Sequence, residues 1–531
     1  MREISYAYGW NHFDRDRDLA AVLRSVWPAY PDYVEDLRAF GAWAGREAYE
    51  AAYHIDHDAR PVLVTHDLDG RRIDRVRLAP TERDVLRRAA AMNRPPYAQG
   101  AWAHHFALLY LLGDPGLGCV VTITGQTVYA LHKYGEGVPD REALVEALLA
   151  GDAFGATWMT ESQGGSDLGA NQTVAVEVGG RWRLSGDKYF ASGAGLTDYA
   201  LVTARPRGAP AGPKGLALFL VPRLNPDGEL NYHVRRLKDK SATRAVPSGE
   251  VELADSAGYL LGAADQGIYY TLETLTVSRL ANAAAAMGAA QKAHLEVWGR
   301  VGRRASFGRL LQEHPLVRRD LTDLAVRAAG GLALTFYAVD RFSRAWRARP
   351  PYDAAYQTAR LLTHLAKHRT AEHASAMTGL AMELFGGLGF LEEYGVARWH
   401  REALITPIWE GPANIQALDF LEVVEKRHAE EALLADLGPE LAARGDAEAR
   451  LAARTLEEAW ADLRAETRPA REWYAKDVLT RVADAVQVAL LYRLAETGGV
   501  RYEKLARLYA TRFLAHAEYP LWAREDEEVW G

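Results

Sequence analysis

The spacing of apolar residues changes period twice along this chain, and that change constrains the fold more than any other feature. From about Gly155 to Gly267 short runs alternate apolar and polar positions, TVAVEV, RWRLSG, DYALVTA, GLALFLVP and GEVELAD, as strands packed on one face require. Gly179-Gly180 between the first two runs predicts a two-residue hairpin turn, whose central positions both need positive φ. Earlier stretches such as DRDLAAVLRSV, TERDVLRRAAAM and REALVEALLAG read as helices, and later segments beginning at Thr271, Pro315 and Asp353 are each long enough for a helix bundle. The predicted class is therefore α+β and mostly α: a helical N-terminal domain over 1–154, a middle antiparallel β domain over 155–267, a helical bundle over 268–430, and an additional all-helical unit over 431–531. No strand alternates regularly with helices, so a doubly wound parallel sheet is not expected.

A chain of 531 residues is too long for a single core. With 49% hydrophobic and 25% charged residues it has the balance of a globular protein, and no apolar run approaches bilayer length. The first forty residues lack the basic start and apolar stretch of a secretory signal. One cysteine, Cys119, allows neither an internal disulfide nor a paired-cysteine zinc site. These features together predict a cytoplasmic protein with no membrane association. A net charge of −7 gives no overall attraction to nucleic acid phosphates.

Neither GxGxxG nor GxxxxGK[ST] occurs, so no standard dinucleotide fold or P-loop is supported. His364, His368 and His373 have helical spacing but no carboxylate or cysteine companion in a ligand pattern, and read as solvated or packing residues; His54 and His57 form an equally weak pair. The run from Trp158 to Asp167, WMTESQGGSD, sets hydroxyls and small residues beside a strand, where main-chain N–H groups can meet an anionic or polar ring; a glycine-rich turn explains it as well. Lys188 to Gly193, KYFASG, would suit the side of a planar cofactor or ordinary strand packing. Arg304 and Phe307 stand three apart near a helix end, suiting a pyrophosphate and an adenine, or a surface cation beside a core ring. Phe385 to Phe390, FGGLGF, permits close backbone approach. The sharpest segment is Ile408 to Asn414, IWEGPAN: Pro412 suits the first turn of a helix with apolar positions Ile415, Leu418, Leu421 and Val424, leaving Glu410 just outside its start. A carboxylate placed there can serve as a general base, or simply cap the helix.

Together and in this order, MTESQGGSD, RLKDKSATR, AMELFGGLGF and IWEGPAN resemble the acyl-CoA dehydrogenase family, and most of all its AidB-type, adaptive-response subgroup. HDLDGRRIDRVRL and the extra C-terminal helices are similar too. The resemblance implies a helical domain, a middle β domain and a four-helix bundle, with FAD as cofactor and a homotetrameric assembly. Carried to this chain, it implies that Met159, Thr160 and Ser166 contact the isoalloxazine and substrate region and that Phe190 and Ser192 line the other flavin edge. It further implies that Arg304 and Phe307 hold the pyrophosphate and adenine end across a subunit contact beside Gly386 and Gly387, and that Trp409 and Asn414 complete the cofactor site. Glu410 falls at the catalytic base position and Arg279 at a substrate-side arginine of the bundle's first helix.

The implied reaction is α,β-dehydrogenation of an acyl-CoA thioester, the electrons passing to an electron-transfer protein or another acceptor such as dioxygen. Glu383 stands where glutamine is common, Pro412 follows Glu-Gly where threonine or serine is usual, and TESQGGSD departs from TEPxxGSD. The alternative implied by the AidB-type resemblance is a flavin-containing DNA-protection protein. Residues 431–531 hold 14 basic against 19 acidic residues, a net of −5, which disfavours duplex binding through that unit.

Overall fold

Gly179 and Gly180 have φ of 59° and 77° and turn the chain between two antiparallel strands, as the sequence predicts. The structure, a computed structural model, describes residues 1–465 and 467–530. They fall into two units whose segments alternate along the chain: Glu47–Gln99 with Gly116–Ser278, and Met1–Arg46 with Gly100–Pro115 and Arg279–Gly531.

The first unit contains a hairpin of β1 (Val62–His66) and β2 (Arg72–Arg77), then β3 (Gly155–Trp158), β4 (Val174–Val178), β5 (Arg181–Ser192), β6 (Tyr199–Pro206), β7 (Ala217–Pro222), β8 (His233–Leu237) and β9 (Ser248–Leu260). Strands β3 to β9 form one sheet in the order β3-β6-β4-β5-β9-β7, with β8 on β9 and a further pairing of β6 with β7 that closes the circle. Most pairings are antiparallel, but β3 and β4 each lie parallel to β6, which corrects the expectation of a purely antiparallel unit. Neither is joined to β6 by a tight turn, and a connection that crosses over returns its strand in the same direction.

β6 and β7 are buried on both faces. Ala200, Val202 and Ala204 pack with Phe219 and Val221 inside the sheet, while Leu201, Leu218 and Leu220 pack with Val128 and Leu131 of the helix Pro115–Tyr134. Burial on both faces makes GLALFLVP a continuous apolar run, which corrects its reading as an alternating strand; each buried leucine contributes roughly 1.5–3 kcal/mol. The β1–β2 hairpin departs from the mostly helical reading of residues 1–154. Its anchor is Asp74, fully buried, which accepts hydrogen bonds from Arg72 Nε at 3.0 Å and from the backbone N–H of Val234 in β8 at 2.9 Å.

In the second unit, the part of the helix Gly267–Val301 from Arg279 onward packs in a bundle with Pro315–Ala345, Ala354–Phe385 and Ala413–Arg427. The contact between helices is close because it is built from small residues. A Cβ on Gly331 would stand 2.7 Å from Met287 Sδ, and one on Gly330 2.7 Å from the Tyr509 ring. Helices Ala429–Ala443, Ala447–Ala465, Arg468–Gly498 and Val500–Tyr509 follow, all-helical as expected.

The three histidines read as solvated or packing residues are buried in this unit. His368 Nε2 meets Thr480 Oγ1 at 2.8 Å, and His373 Nε2 meets Gln487 Oε1 and the Tyr509 hydroxyl at 3.1 and 2.9 Å. Burial lowers His368 to about 4 and His364 to about 3, so both rings are neutral packing groups at pH 7.

Arg369 donates to both oxygens of buried Asp484 at 2.7 and 3.1 Å, and Tyr509 donates to the same carboxylate at 2.6 Å. One carboxylate thus joins Ala354–Phe385 to Arg468–Gly498 and Val500–Tyr509. Asp484→Ala should destabilise the protein by about 3–5 kcal/mol, because it takes the bidentate partner from a buried guanidinium and leaves it only the partly exposed Glu372 at 2.8 Å; urea unfolding checks this, and a loss below about 1 kcal/mol would show that the pair is solvated.

Candidate active site

Glu410 and Gly411 both adopt left-handed backbone conformations, with φ of 58° and 88°. Glycine does so freely, whereas glutamate does not, so Glu410 must be held. Three side chains hold it. Arg279 Nε donates to the Glu410 carbonyl at 3.0 Å; Gln416 Nε2 donates to the carbonyls of Glu410 and Gly411, each at 2.9 Å; Lys367 Nζ donates to the Gly411 carbonyl at 2.7 Å. Arg279, Lys367 and Gln416 come from three different helices.

These holders are themselves fixed. Arg279 Nη1 donates to Asp419 Oδ2 at 2.9 Å. Burial works to raise the Asp419 carboxyl, but Arg279 beside it prevails and holds it below its ordinary range. Gln416 uses its amide nitrogen on the turn, so its oxygen accepts from His364 Nδ1 at 2.9 Å, which fixes the histidine tautomer. Burial brings Lys367 down to about 7 against the opposing pull of the Glu410 charge. Trp409 donates its indole N–H to Asn282, three residues from Arg279 on the same helix.

The helix after the turn starts at Ala413 with Pro412 as its N-cap residue. Glu410 therefore lies two residues before the cap position, outside the helix as the sequence predicts. The apolar stripe is different from the expected one. Gln416, Ala417, Phe420, Leu421, Val423 and Val424 are buried while Leu418 is 43% exposed, because Gln416 turns inward to reach the carbonyls. Asn414 is exposed in the first turn.

Arg304 and Phe307 lie near the end of the helix Gly267–Val301, as expected, Arg304 just before and Phe307 at the turn of a small hairpin, β10 (Ala305–Ser306) and β11 (Arg309–Leu310). Phe307 and Gly308 form its turn with φ of 48° and 78°, and the sequence SFG carries the positive-φ glycine that signals such a turn. Phe307 is 97% exposed at the tip. The hairpin follows Arg300, whose Nε and Nη2 donate to the carbonyls of Leu384 and Phe385 at 3.2 and 2.8 Å. Gly386 and Gly387 come next and are open: a Cβ on either would meet nothing within 4 Å. Arg304, Phe307 and the glycine pair thus flank one buried arginine.

In the other unit, Met159 and Thr160 follow β3, and Phe190 and Ser192 end β5. Glu161, which sequence reasoning did not single out, organises them. Its carboxylate accepts from the N–H groups of Gln172 and Thr173 at 2.5 and 3.1 Å, from Thr173 Oγ1 at 2.6 Å and from Lys188 Nζ at 2.8 Å. Lys188 is itself buried, which lowers it to about 8 against the pull of Glu161. The Thr160 carbonyl accepts from the Tyr189 N–H at 2.9 Å, bringing the two predicted segments side by side, and a Cβ on Gly165 would strike Thr160 Oγ1 at 2.4 Å. Met159 is buried, Thr160 and Ser192 are half-buried, and Ser166 and Phe190 are exposed. Phe190 has φ of 53° and presents its ring outward, 57% exposed, next to Tyr189 with centroids 5.0 Å apart.

Lys367, Gln416 and Asn282 were also missed from sequence. A lysine every few residues on a helix is ordinary, and only the fold shows which one faces the turn. Lys367 should make stability depend on pH. Its folded value of about 7 lies below its usual 10.5, so between these values the unfolded chain binds the extra proton and folding is favoured as pH rises. Against Lys367→Met, the wild-type protein should gain roughly 3 kcal/mol from pH 7 to pH 10, read by urea unfolding of both proteins; parallel pH profiles would refute the assignment.

Comparison with known proteins gives three family matches: the N-terminal domain of the adaptive response protein AidB over residues 6–149, and the acyl-CoA dehydrogenase middle and C-terminal domains over 156–256 and 265–424. The chain is similar to the putative acyl-CoA dehydrogenase AidB of Escherichia coli strain K12, 33% identical over 389 residues that cover 69% of this chain and 70% of that protein. Among solved structures it is similar to Bd2924 in its apo form, at a TM-score of 0.82 and 26% identity over 92% of this chain and 99% of that one. The fold is shared with Caenorhabditis elegans ACDH-11 in complex with C11-CoA, at a TM-score of 0.84 and 24% identity, covering 98% and 93% of the two chains.

Proposed function

The chain belongs to the acyl-CoA dehydrogenase family and is an enzyme of that type, and from this we propose that it dehydrogenates an acyl-CoA thioester with Glu410 as base and FAD as cofactor. The observation that carries the reading is the held turn at Glu410. A left-handed glutamate fastened through its own carbonyl by Arg279 and Gln416 is a carboxylate whose backbone has been fixed independently of its side chain. Such fixing is what proton abstraction at a defined carbon needs.

The Glu410 carboxylate takes the α proton of the acyl chain. Lys367, whose charge interacts with that carboxylate, offsets part of its negative charge before the proton arrives. Bound FAD supplies the acceptor for the hydride leaving the β carbon, so the substrate loses one proton and one hydride and becomes α,β-unsaturated. An electron-transfer protein or another acceptor is the partner that carries the electrons away. In this reading Arg279 fixes the turn on the substrate side, and Thr160, Ser166, Met159, Phe190 and Ser192 line the flavin. Trp409, Asn414, Arg304, Phe307, Gly386 and Gly387 hold its remaining parts. The open backbone of Gly386 and Gly387 fits close approach by a ligand. Phe307 at 97% and Phe390 at 84% exposure are large rings that one chain leaves uncovered, which supports burial in a homotetramer.

Glu410→Gln should keep FAD bound and slow bleaching of the flavin band by acyl-CoA, mixed without oxygen, by about 10²–10⁴-fold. Bleaching at the wild-type rate would sink the base assignment.

The match of residues 6–149 to AidB raises a DNA-protection role, and the C-terminal helices argue against it. Arg464, Arg481, Arg493 and Arg507 already pair with Glu430, Asp462, Glu440 and Glu503, leaving those guanidiniums engaged. No duplex binding is expected at about 0.15 M salt; a salt series showing tight binding that weakens steeply with ionic strength would reverse this.

A further inference from the structure

A cavity of about 380 Å³ lies in the second unit, away from the Glu410 turn in sequence and built from other residues. That volume falls in the range of small-molecule sites, roughly 300–1,000 Å³. Its wall combines three indole rings, Trp10, Trp298 and Trp530, with three guanidiniums, Arg15, Arg17 and Arg501. Indole faces accept flat rings, and guanidiniums accept carboxylate or phosphate.

The charge balance favours an anion. Two carboxylates also line the cavity. Asp18 is taken by Arg501 and by the Tyr502 hydroxyl at 3.2 Å, and Asp14 by Arg38 at 2.9 Å, a residue outside the wall. Arg15 stacks its guanidinium over the Trp10 ring at 4.8 Å and has no carboxylate partner among the described residues. Arg17 is lowered by burial first and by the nearby charge of Arg501 second, with Asp18 and Glu528 pulling the other way.

Two buried nitrogens of the wall are also unsatisfied. His294 Nε2 and Trp530 Nε1 have no hydrogen-bond partner among the described residues, although their residues are only 9% and 5% exposed. Burial lowers His294 to about 4, so at pH 7 the ring is neutral. A ligand seated against this wall would give both nitrogens a partner.

We propose that this cavity binds a small aromatic anion, a flat ring bearing a carboxylate or phosphate, with the ring against the tryptophans and the charge at Arg15 and Arg17. The two anionic groups share one chemistry, and matched probes separate them. Flavin-loaded protein is titrated by calorimetry and tryptophan fluorescence with indole-3-acetate and with 5′-AMP. Indole-3-acetamide and adenosine supply the ring without the charge, and acetate and inorganic phosphate the charge without the ring.

At least one charged aromatic should bind about tenfold or more tighter than both of its counterparts, and Arg15→Gln/Arg17→Gln should weaken it at least about tenfold without changing the melting temperature. Preference for indole-3-acetate or for 5′-AMP identifies the anionic group. If the double variant misfolds, Gln291→Glu adds a carboxylate to the same wall and should weaken binding similarly. No binding of either charged probe at about 5 mM, equal binding of the uncharged counterparts, or undiminished binding in the variants would overturn the proposal. The last result also covers 5′-AMP seated at a nucleotide site elsewhere.

Discussion

The guanidinium of Arg279, shared between the Glu410 carbonyl and the Asp419 carboxylate, is the contact on which the arrangement of the Glu410 end of the bundle depends. It converts an unfavourable backbone conformation at a single glutamate into a fixed geometry. Without Arg279 and Gln416, which both donate there, the carbonyl of a left-handed residue would be left to solvent, and the turn would relax toward the helix that follows. Lys367 and Gln416 extend the same device to Gly411. The result is four backbone acceptor contacts from three helices onto two consecutive carbonyls, so a shift of any one of those helices is felt at Glu410.

The same economy of means recurs in the β unit. Glu161 sits buried between the loop after β3 and the body of β5, and its carboxylate satisfies two backbone N–H groups, one hydroxyl and one buried ammonium. A buried ion pair contributes little net stability once desolvation is counted. Its value here is positional: it sets the segment carrying Thr160 and Ser166 alongside the strand end carrying Phe190 and Ser192. In each unit, then, buried charged residues that touch backbone fix the local geometry.

The cavity between Trp10, Trp298 and Trp530 follows the opposite pattern. There three guanidiniums and two carboxylates line the open space, and two buried nitrogens lack partners among the described residues. His294 Nε2 and Trp530 Nε1 both belong to this wall, and a ligand seated there would complete them.

Period and turn chemistry were enough to read the helix–sheet–helix order, the Gly179-Gly180 hairpin and the position of Glu410 just ahead of a helix, since each depends on residues adjacent in the chain. Motif order was enough to identify the family. Sequence could not show that β3 and β4 run parallel to β6, because strand direction depends on which distant strands pair. Nor could it show that Phe307 stands at the turn of a hairpin, or that Gln416 faces inward against the apolar stripe. Lys367, Glu161 and Lys188 look like ordinary surface charges in the sequence, and their roles come from burial, which only tertiary packing decides. What the sequence determined by itself is local: period, turn and the chemistry of single residues. What the tertiary structure decided is which charged side chains lose water and reach a backbone carbonyl or N–H far away in the chain, because desolvation and hydrogen bonding are set by neighbours in space.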